Sequence, residues 1–298
     1  MRAQWSAESL MTLLEPQNIF FAHPHLTGAK WPAQPRHSFE ERVAAVAAAG
    51  GRGMGLGNRE LDELLKTRSI DSLLDVLTEH GVRVGELEVI AGWHADGEER
   101  EQGLAVEQAI YRYAEMFGAT RVKTIAPIFP PAQPPPLDVL VERFAAVCDR
   151  AAEHGIVLAF EPIAFLPSFN YAMAADVVIG ADRRNGGLLF DAWQTFFDPT
   201  GLDTLDRVSA RHITGVELCD GRATPGSDLM EECLSQRRLP GEGDFDLVRF
   251  IRALDAKGVD VPLSVEVLNA DLRELSAREN VERTVASVRK LLAAVEAA

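Results

Sequence analysis

Cysteine is scarce in this sequence, and its few positions are far apart. The 298 residues contain three cysteines, Cys148, Cys219 and Cys233, and no two of them form a C-x-x-C pair. This spacing argues against a disulfide framework and against a structural zinc knuckle. The first residues, Met1 to Ser6, lack the long apolar core of a signal peptide. We therefore expect reduced thiols in a cytoplasmic protein.

Basic residues are also in short supply. Lys and Arg number 30 against 45 Asp and Glu, which gives a net charge of −15. Nucleic acid and anionic membrane surfaces both require a basic footprint, so neither is expected as a partner. No apolar run is long enough to span a bilayer. A small-molecule substrate is the expected partner, and a homo-oligomer remains an open alternative.

Several catalytic motifs are missing as well. The sequence has no G-x-G-x-x-G, no Walker signature and no G-x-S-x-G elbow, so neither a nucleotide cofactor nor a serine hydrolase is expected. Gly53, Gly55 and Gly57 have the wrong spacing for a phosphate loop. Glycine at every second position of a strand instead predicts close backbone approach on one face.

Strand-like and helix-like patterns alternate along the whole chain, which is typical of parallel βαβ construction. Strands are predicted at Asn18–His23, Gly53–Gly57, Arg83–Ile90, Arg121–Ile125, Val157–Glu161, Gly187–Asp191, Ile213–Glu217 and Pro262–Glu266. Helices are predicted after the Ser38 capping box and near Leu61–His80, Glu99–Phe117, Leu137–Ala151, Ala174–Arg184, Leu202–Ala210, Asp246–Lys257 and Asn280–Ala297. About eight such units predict an α/β protein, a (β/α)8 TIM barrel of one domain covering residues 1–298. The alternative is a doubly wound open sheet.

A proline-rich segment interrupts this rhythm at Pro130–Pro136. Because the same alternation of strand and helix resumes directly after it, we interpret the segment as a rigid loop within the barrel and not as a domain linker.

Four acidic residues close four successive apolar strands in the second half of the chain: Glu161, Asp191, Glu217 and Glu266. The C-terminal ends of barrel strands meet at one rim, so these carboxylates are expected to converge. Four carboxylates cannot share a low-dielectric site without protons or a cation. Oxygen ligands alone favour Mg²⁺ or Mn²⁺ over Zn²⁺, and one such ion is the predicted cofactor. The alternative is that single members of the set merely pair with Arg or Lys.

These strand ends resemble the xylose-isomerase-like TIM-barrel superfamily of isomerases, epimerases, dehydratases and endonuclease-IV-like proteins. The resembling segments are Phe160-Glu161-Pro162, Leu189-Phe190-Asp191-Ala192-Trp193, Gly215-Val216-Glu217-Leu218-Cys219-Asp220-Gly221, Pro240-Gly241-Glu242-Gly243-Asp244-Phe245 and Ser264-Val265-Glu266-Val267. The resemblance implies one Mn²⁺-type ion held by the four carboxylates. It also implies that Glu161 and Glu266 exchange protons with the substrate.

The chain departs from the pattern of this superfamily at two positions. Gln194 stands where members often have His, and Glu217 stands where many have a His ligand. The first change removes an expected substrate contact, and the second keeps a ligand while adding negative charge. Six further side chains are candidates for substrate binding: Arg238 (or its neighbour Arg237), Trp193, Gln194, His23, His94 and Lys123. For Lys123, the alternative is an ion pair with Glu86 or Glu88.

The sequence therefore predicts a divalent-metal-dependent isomerase or epimerase of a sugar, a polyol or a related hydroxy-ketone. The reaction would proceed by proton transfer at the carbon next to the carbonyl. A dehydratase of the inosose or 3-dehydroshikimate type shares the first step of this reaction. The third alternative is an accessory barrel that binds a ligand without catalysis.

Overall fold

The computed structural model describes residues 19–125, 134–261 and 263–298. Eight parallel strands form a closed barrel in which each strand pairs with its neighbours in sequence and β1 pairs with β8. The strands are β1 Phe20–Phe21, β2 Gly53–Gly57, β3 Arg83–Ile90, β4 Arg121–Ile125, β5 Val157–Glu161, β6 Gly186–Asp191, β7 Ile213–Leu218 and β8 Leu263–Val265. This architecture confirms the predicted (β/α)8 barrel.

Thirteen α-helices lie in the described part of the chain and surround the barrel or cover its rim. They are α1 His23–Leu26, α2 Phe39–Ala48, α3 Asn58–Leu64, α4 Ile70–His80, α5 Gly97–Phe117, α6 Leu137–Glu153, α7 Tyr171–Ala181, α8 Ala192–Phe197, α9 Gly201–Arg207, α10 Leu229–Ser235, α11 Leu247–Ala256, α12 Ala270–Glu274 and α13 Ala277–Ala297. None of these helices combines the length and the apolar character that crossing a membrane requires.

Two predicted elements differ from the structure for local reasons. The first strand is shorter than predicted because His23 already begins α1, where Pro24 occupies the first turn and needs no helical hydrogen bond. The single helix predicted from Leu61 to His80 is two helices, since Ser69 caps a new helix by accepting a hydrogen bond from the Ser72 amide. Residues 126–133 contain most of the proline-rich segment and lie outside the described residues.

The glycines of β2 make room inside the barrel, as their spacing predicts. A Cβ atom at Gly53 would lie 2.0 Å from the ring of Phe20, and one at Gly57 would lie 2.6 Å from the ring of His23. Both positions therefore require glycine if these two side chains are to stay where they are.

Charged side chains project from β4 into the barrel at two levels. Nε of Arg121 lies 2.8 Å from Oε2 of Glu86 on β3. Nη2 of Arg121 donates a hydrogen bond to Oγ of Ser264 on β8, also at 2.8 Å. Lys123 is two residues closer to the C-terminal end of the same strand, and it contacts the carboxylates at the rim. Because residues two apart in a strand point to the same face, Arg121 and Lys123 both point into the barrel, with Lys123 nearer the C-terminal rim.

Candidate active site

The structure brings the four predicted carboxylates together at the C-terminal rim of the barrel. Glu161 ends β5, Asp191 ends β6, Glu217 lies near the end of β7, and Glu266 follows β8 directly. All four are buried, and one oxygen from each lies within 4.8 Å of the others. We name Glu161, Asp191, Glu217 and Glu266 the carboxylate cluster.

Asp191 is held in place by both of its oxygens. Oδ1 accepts a hydrogen bond from the backbone amide of Gln194 at 2.9 Å, so Asp191 is also the N-cap of α8. Oδ2 lies 2.9 Å from a guanidinium nitrogen of Arg237. The cap and the ion pair together leave this carboxylate little rotational freedom.

Lys123 lies inside the group of acids at the rim. Its ammonium nitrogen is 2.9 Å from Oε1 of Glu217 and 2.9 Å from Oε1 of Glu266. Glu88 and Glu161 are farther away, at 3.8 and 3.9 Å. The predicted ion pair between Lys123 and Glu88 is therefore present, whereas Glu86 pairs with Arg121 instead. The Lys123 side chain also lines the cavity at the mouth of the barrel.

Arg237 is the second buried cation of the site. The same guanidinium nitrogen that meets Asp191 is 3.3 Å from Oε2 of Glu266, and the side chain is almost completely buried. Arg238, which the sequence analysis favoured for substrate binding, points elsewhere. It is 40% exposed, its guanidinium is 3.7 Å from Asp244, and it lines a separate surface cavity beside α13. The position beside the carboxylate cluster belongs to Arg237.

Burial and mutual repulsion control the protonation of these acids. Burial raises the pKa of Glu161 to about 8, with Glu266 adding to the effect and Lys123 opposing it. Burial also raises the pKa of Asp191 and of Glu217. Glu266 behaves differently, because Lys123 and Arg237 outweigh the effect of burial and hold its pKa below the ordinary value. Two neighbouring carboxylates with opposite pKa shifts are suited to serve as acid and base.

The donor set fits a divalent cation. Lys123 and Arg237 supply two positive charges, whereas the carboxylate cluster and Glu88 supply five carboxyl groups. All of the acidic donor atoms are carboxylate oxygens, the ligand type that Mg²⁺ and Mn²⁺ prefer. A cation among these oxygens would relieve the excess of negative charge.

A cavity opens beside the cluster and is mostly apolar. Its polar lining comprises Glu88, Lys123, Glu161, Gln194, Cys233, Arg237 and Glu266. Its apolar lining comprises Pro24, Trp31, Val89, Ile125, Ile163, Phe165, Met230, Leu234 and Leu268. Gln194, a candidate for substrate binding, lies among the polar residues, and its side-chain Oε1 accepts a hydrogen bond from the backbone amide of Ala164 at 2.9 Å. The arrangement suits a compact ligand whose polar groups meet the cluster and whose carbon skeleton meets the walls.

His23 lies next to this cavity, in a neighbouring recess that shares Trp31, Glu88 and Val89 with it. Its Nε2 is 3.0 Å from Glu60, and its backbone amide donates to Glu88 at 3.1 Å. Burial alone would raise the pKa of Glu60, but Arg42 and His23 together lower it to about 2. His23 is thus fixed by an ionised carboxylate at the edge of the site.

Two other predicted substrate contacts lie away from the cavity. The ring of His94 packs edge-on against Trp93 and Phe169, and burial lowers the pKa of its imidazole. Trp193 is fully buried against Phe197, with the Arg237 guanidinium 5.8 Å from its ring. Neither side chain lines the cavity. Trp193 supports the site by packing beneath Arg237.

Part of the cavity wall consists of residues that the sequence pattern does not mark. Trp31, Phe165 and Met230 come from loops and from a short helix whose sequence carries no strand-end or helix-face signal. The position of Glu88 could be inferred in part from the sequence. Glu86 and Glu88 are two residues apart in β3, and side chains at this spacing point to the same face of a strand.

Comparison with known sequences gives short matches. A 3-dehydroshikimate dehydratase of Pseudomonas aeruginosa is 32% identical over 146 residues, which is 48% of this chain and 22% of that protein. An inosose isomerase of Bacillus licheniformis is 28% identical over 156 residues, or 50% of this chain and 55% of that protein. The matches thus span about a fifth and about half the length of these two curated relatives.

Comparison with solved structures and family models covers far more of the chain. The IOLI protein, solved with a bound zinc atom, superposes with a TM-score of 0.78 at 19% identity over 93% of this chain and 98% of that one. At this identity the superposition supports the fold alone. A model of the family described as xylose isomerase-like TIM barrel matches residues 43–291. The chain therefore belongs to the xylose isomerase-like TIM barrel family.

Proposed function

We propose that this protein is a metal-dependent enzyme that moves a proton at the carbon next to a carbonyl group in a small hydroxy-ketone, as an isomerase or epimerase. The observation that carries the proposal is the pair Glu161 and Glu266, two buried carboxylates of one cluster whose oxygens lie within 4.8 Å of each other. They border a cavity whose walls are largely apolar. Such a site favours proton transfer over reactions that need bulk water.

The carboxylate cluster would hold the ion through Glu161, Asp191, Glu217 and Glu266. Because every ligand is an oxygen, Mn²⁺ or Mg²⁺ suits the set better than Zn²⁺, which prefers nitrogen and sulfur. When bound, such an ion would polarise a substrate carbonyl or hydroxyl and so acidify the neighbouring C–H bond.

The other steps of the reaction are assigned to individual side chains that line the cavity. Glu266 is kept ionised by Lys123 and Arg237, so it is the proposed base. Glu161, whose oxygen lies within 4.8 Å of one from Glu266 and which also lines the cavity, is the proposed donor that returns a proton to the substrate. Gln194, whose carbonyl is fixed by the Ala164 amide, would position a substrate hydroxyl with its amide group. Trp31, Phe165 and Met230 would exclude water from the intermediate.

A dehydratase is the second candidate, and a specific observation favours it. The 32% identity to a 3-dehydroshikimate dehydratase lies above the identity to the inosose isomerase. The first step is the same removal of a proton by Glu266. In the dehydratase, Glu161 would then protonate a departing β-hydroxyl, so that water leaves and a carbon–carbon double bond forms.

Proton exchange with D₂O tests the proposal most directly. Purified protein with Mn²⁺ is incubated with ketoses, inososes and 3-dehydroshikimate, and NMR follows the proton next to each carbonyl. Isomerase or epimerase activity is expected to replace that proton by deuterium and to yield a new sugar or polyol signal. Dehydratase activity on 3-dehydroshikimate is expected to yield an aromatic dihydroxybenzoate with release of one water.

The same experiment also identifies a protein that binds these ligands without catalysis. If ligands of the panel protect the protein against thermal unfolding but none exchanges its proton, an accessory ligand-binding barrel replaces the enzyme as the better account. Thermal shift measurements on the same samples supply that comparison.

A further inference from the structure

Lys123 is a buried lysine of β4 whose ammonium group lies among the carboxylates at the rim of the barrel. Its side chain is nearly fully buried, and four carboxylates lie within 3.9 Å of its ammonium nitrogen, with Glu217 and Glu266 closest. Two of its partners are therefore members of the carboxylate cluster at hydrogen-bond distance. An ammonium surrounded by four carboxylates at these distances is favoured in its charged form.

This position coincides with the region where a metal ion would bind. The oxygens that Lys123 contacts most closely, on Glu217 and Glu266, belong to the same carboxylates whose oxygens converge within 4.8 Å. A carboxylate oxygen that accepts a strong charge-assisted hydrogen bond is a weaker donor to a cation, and the ammonium repels a cation nearby.

We propose that Lys123 is an internal cation that competes with the divalent ion for Glu217 and Glu266. It thereby stabilises the metal-free barrel and lowers the affinity of the site for metal. The inference rests on the metal site of the proposed function and adds a determinant of its affinity. Glu217 makes the competition effective, because a carboxylate at this position attracts the ammonium as well as the ion.

Lys123→Gln and Arg121→Gln form a matched pair for testing this inference. Each removes one buried positive charge from β4 and leaves a polar side chain. Arg121 lies two residues away on the same strand, where it pairs with Glu86 and contacts Ser264. Any general effect of removing a charge from the barrel interior should appear in both variants.

The measurements are Mn²⁺ binding by titration calorimetry and thermal unfolding with and without Mn²⁺. Lys123→Gln is expected to bind Mn²⁺ roughly tenfold tighter or more than the wild type, because a repelling charge about 4 Å from the site is gone. Without metal it should unfold at a lower temperature than the wild type, and Mn²⁺ should restore more stability to it. Arg121→Gln should lose stability with an Mn²⁺ affinity near that of the wild type.

The outcomes separate this inference from the proposed function. If wild-type protein binds Mn²⁺ and Lys123→Gln binds it no tighter, the competition is refuted while the metal site stands. If neither protein binds Mn²⁺, both the competition and the metal site fail. Should Lys123→Gln not fold without metal, Lys123→Met purified in Mn²⁺ and then dialysed against chelator gives the same comparison, with retention of Mn²⁺ as the readout.

Discussion

The two charged levels inside the barrel differ in how their charges are matched. At the lower level, nearer the N-terminal ends of the strands, Arg121 meets the carboxylate of Glu86 at 2.8 Å and also contacts Ser264. At the upper level, Lys123 and Arg237 face Glu88 and the carboxylate cluster, so acids outnumber cations. A buried pair with one charge of each sign suits a structural role. A buried group with more acids than cations is destabilised by repulsion unless a bound cation or a proton reduces the negative charge, and this is typical of a functional site.

Breaking the lower pair should produce the largest effect on stability. Arg121→Gln leaves Glu86 buried without its cation, and we expect a loss of about 3–5 kcal/mol in the free energy of unfolding. Urea unfolding measures this loss. The double variant Arg121→Gln, Glu86→Gln serves as the control and should recover much of it, since no uncompensated charge then remains. Equal losses in the single and double variants would show that the pair's charges do not matter.

Neutralising the proposed base should abolish most of the activity at the upper level. Glu266→Gln cannot accept a proton from carbon, so kcat should fall by ~10² or more, the usual contribution of general acid–base catalysis. Deuterium exchange into the true substrate is the measurement. Glu107→Gln is the control, because Glu107 is also buried but lies on α5, bound by Arg150 and Tyr111. Near-full turnover by Glu266→Gln would remove Glu266 from the role of base.

The excess of acid at the upper level should make the metal-free protein sensitive to pH. The folded barrel raises the pKa of Glu161 from 4.5 to about 8. Between these values Glu161 binds more protons in the folded state than in the unfolded chain, so the contribution of Glu161 to stability should fall as the pH rises from about 4.5 to about 8. One such group contributes at most ~1.4 kcal/mol per pH unit.

Thermal unfolding across this pH range checks the slope. Glu161→Gln should reduce the decline, and Mn²⁺ should reduce it in the wild type, because both relieve the buried negative charge. The same pH dependence of stability in the wild type and in Glu161→Gln, both without metal, would mean that Glu161 is ionised throughout the window.

The smallest effect is expected at Arg238, which provides a contrast with its neighbour. Its exposed guanidinium is 3.7 Å from Asp244 and lies outside the cavity. Arg238→Ala should therefore change stability by less than about 1 kcal/mol and leave the KM unchanged. Steady-state kinetics and thermal unfolding measure both quantities. A large rise in KM would restore Arg238 as the substrate contact and would count against Arg237 in that position.

The strand ends of the second half of the chain were readable because their signal is local. An apolar run followed by Glu or Asp, as at Glu161 and Asp191, marks both a buried strand and an acid at its C-terminal end. Barrel geometry then requires such ends to converge. For Arg237 and Arg238 there is no such signal. The two adjacent arginines look alike in sequence, and the backbone pairing of Arg238 with Asp220 turns one inward and the other outward.

The sequence by itself determined the alternation of strands and helices, the eightfold repeat and the four acids at strand ends, because periodicity and burial depend on neighbouring residues. Only the tertiary structure decided where the cations lie. Lys123 and Arg237 are 114 residues apart in the sequence. Lys123 lies on β4, and Arg237 lies in the segment that follows β7. Their meeting with Glu266 depends on closure of the barrel and on the free energy of desolvating charges, which no local pattern records.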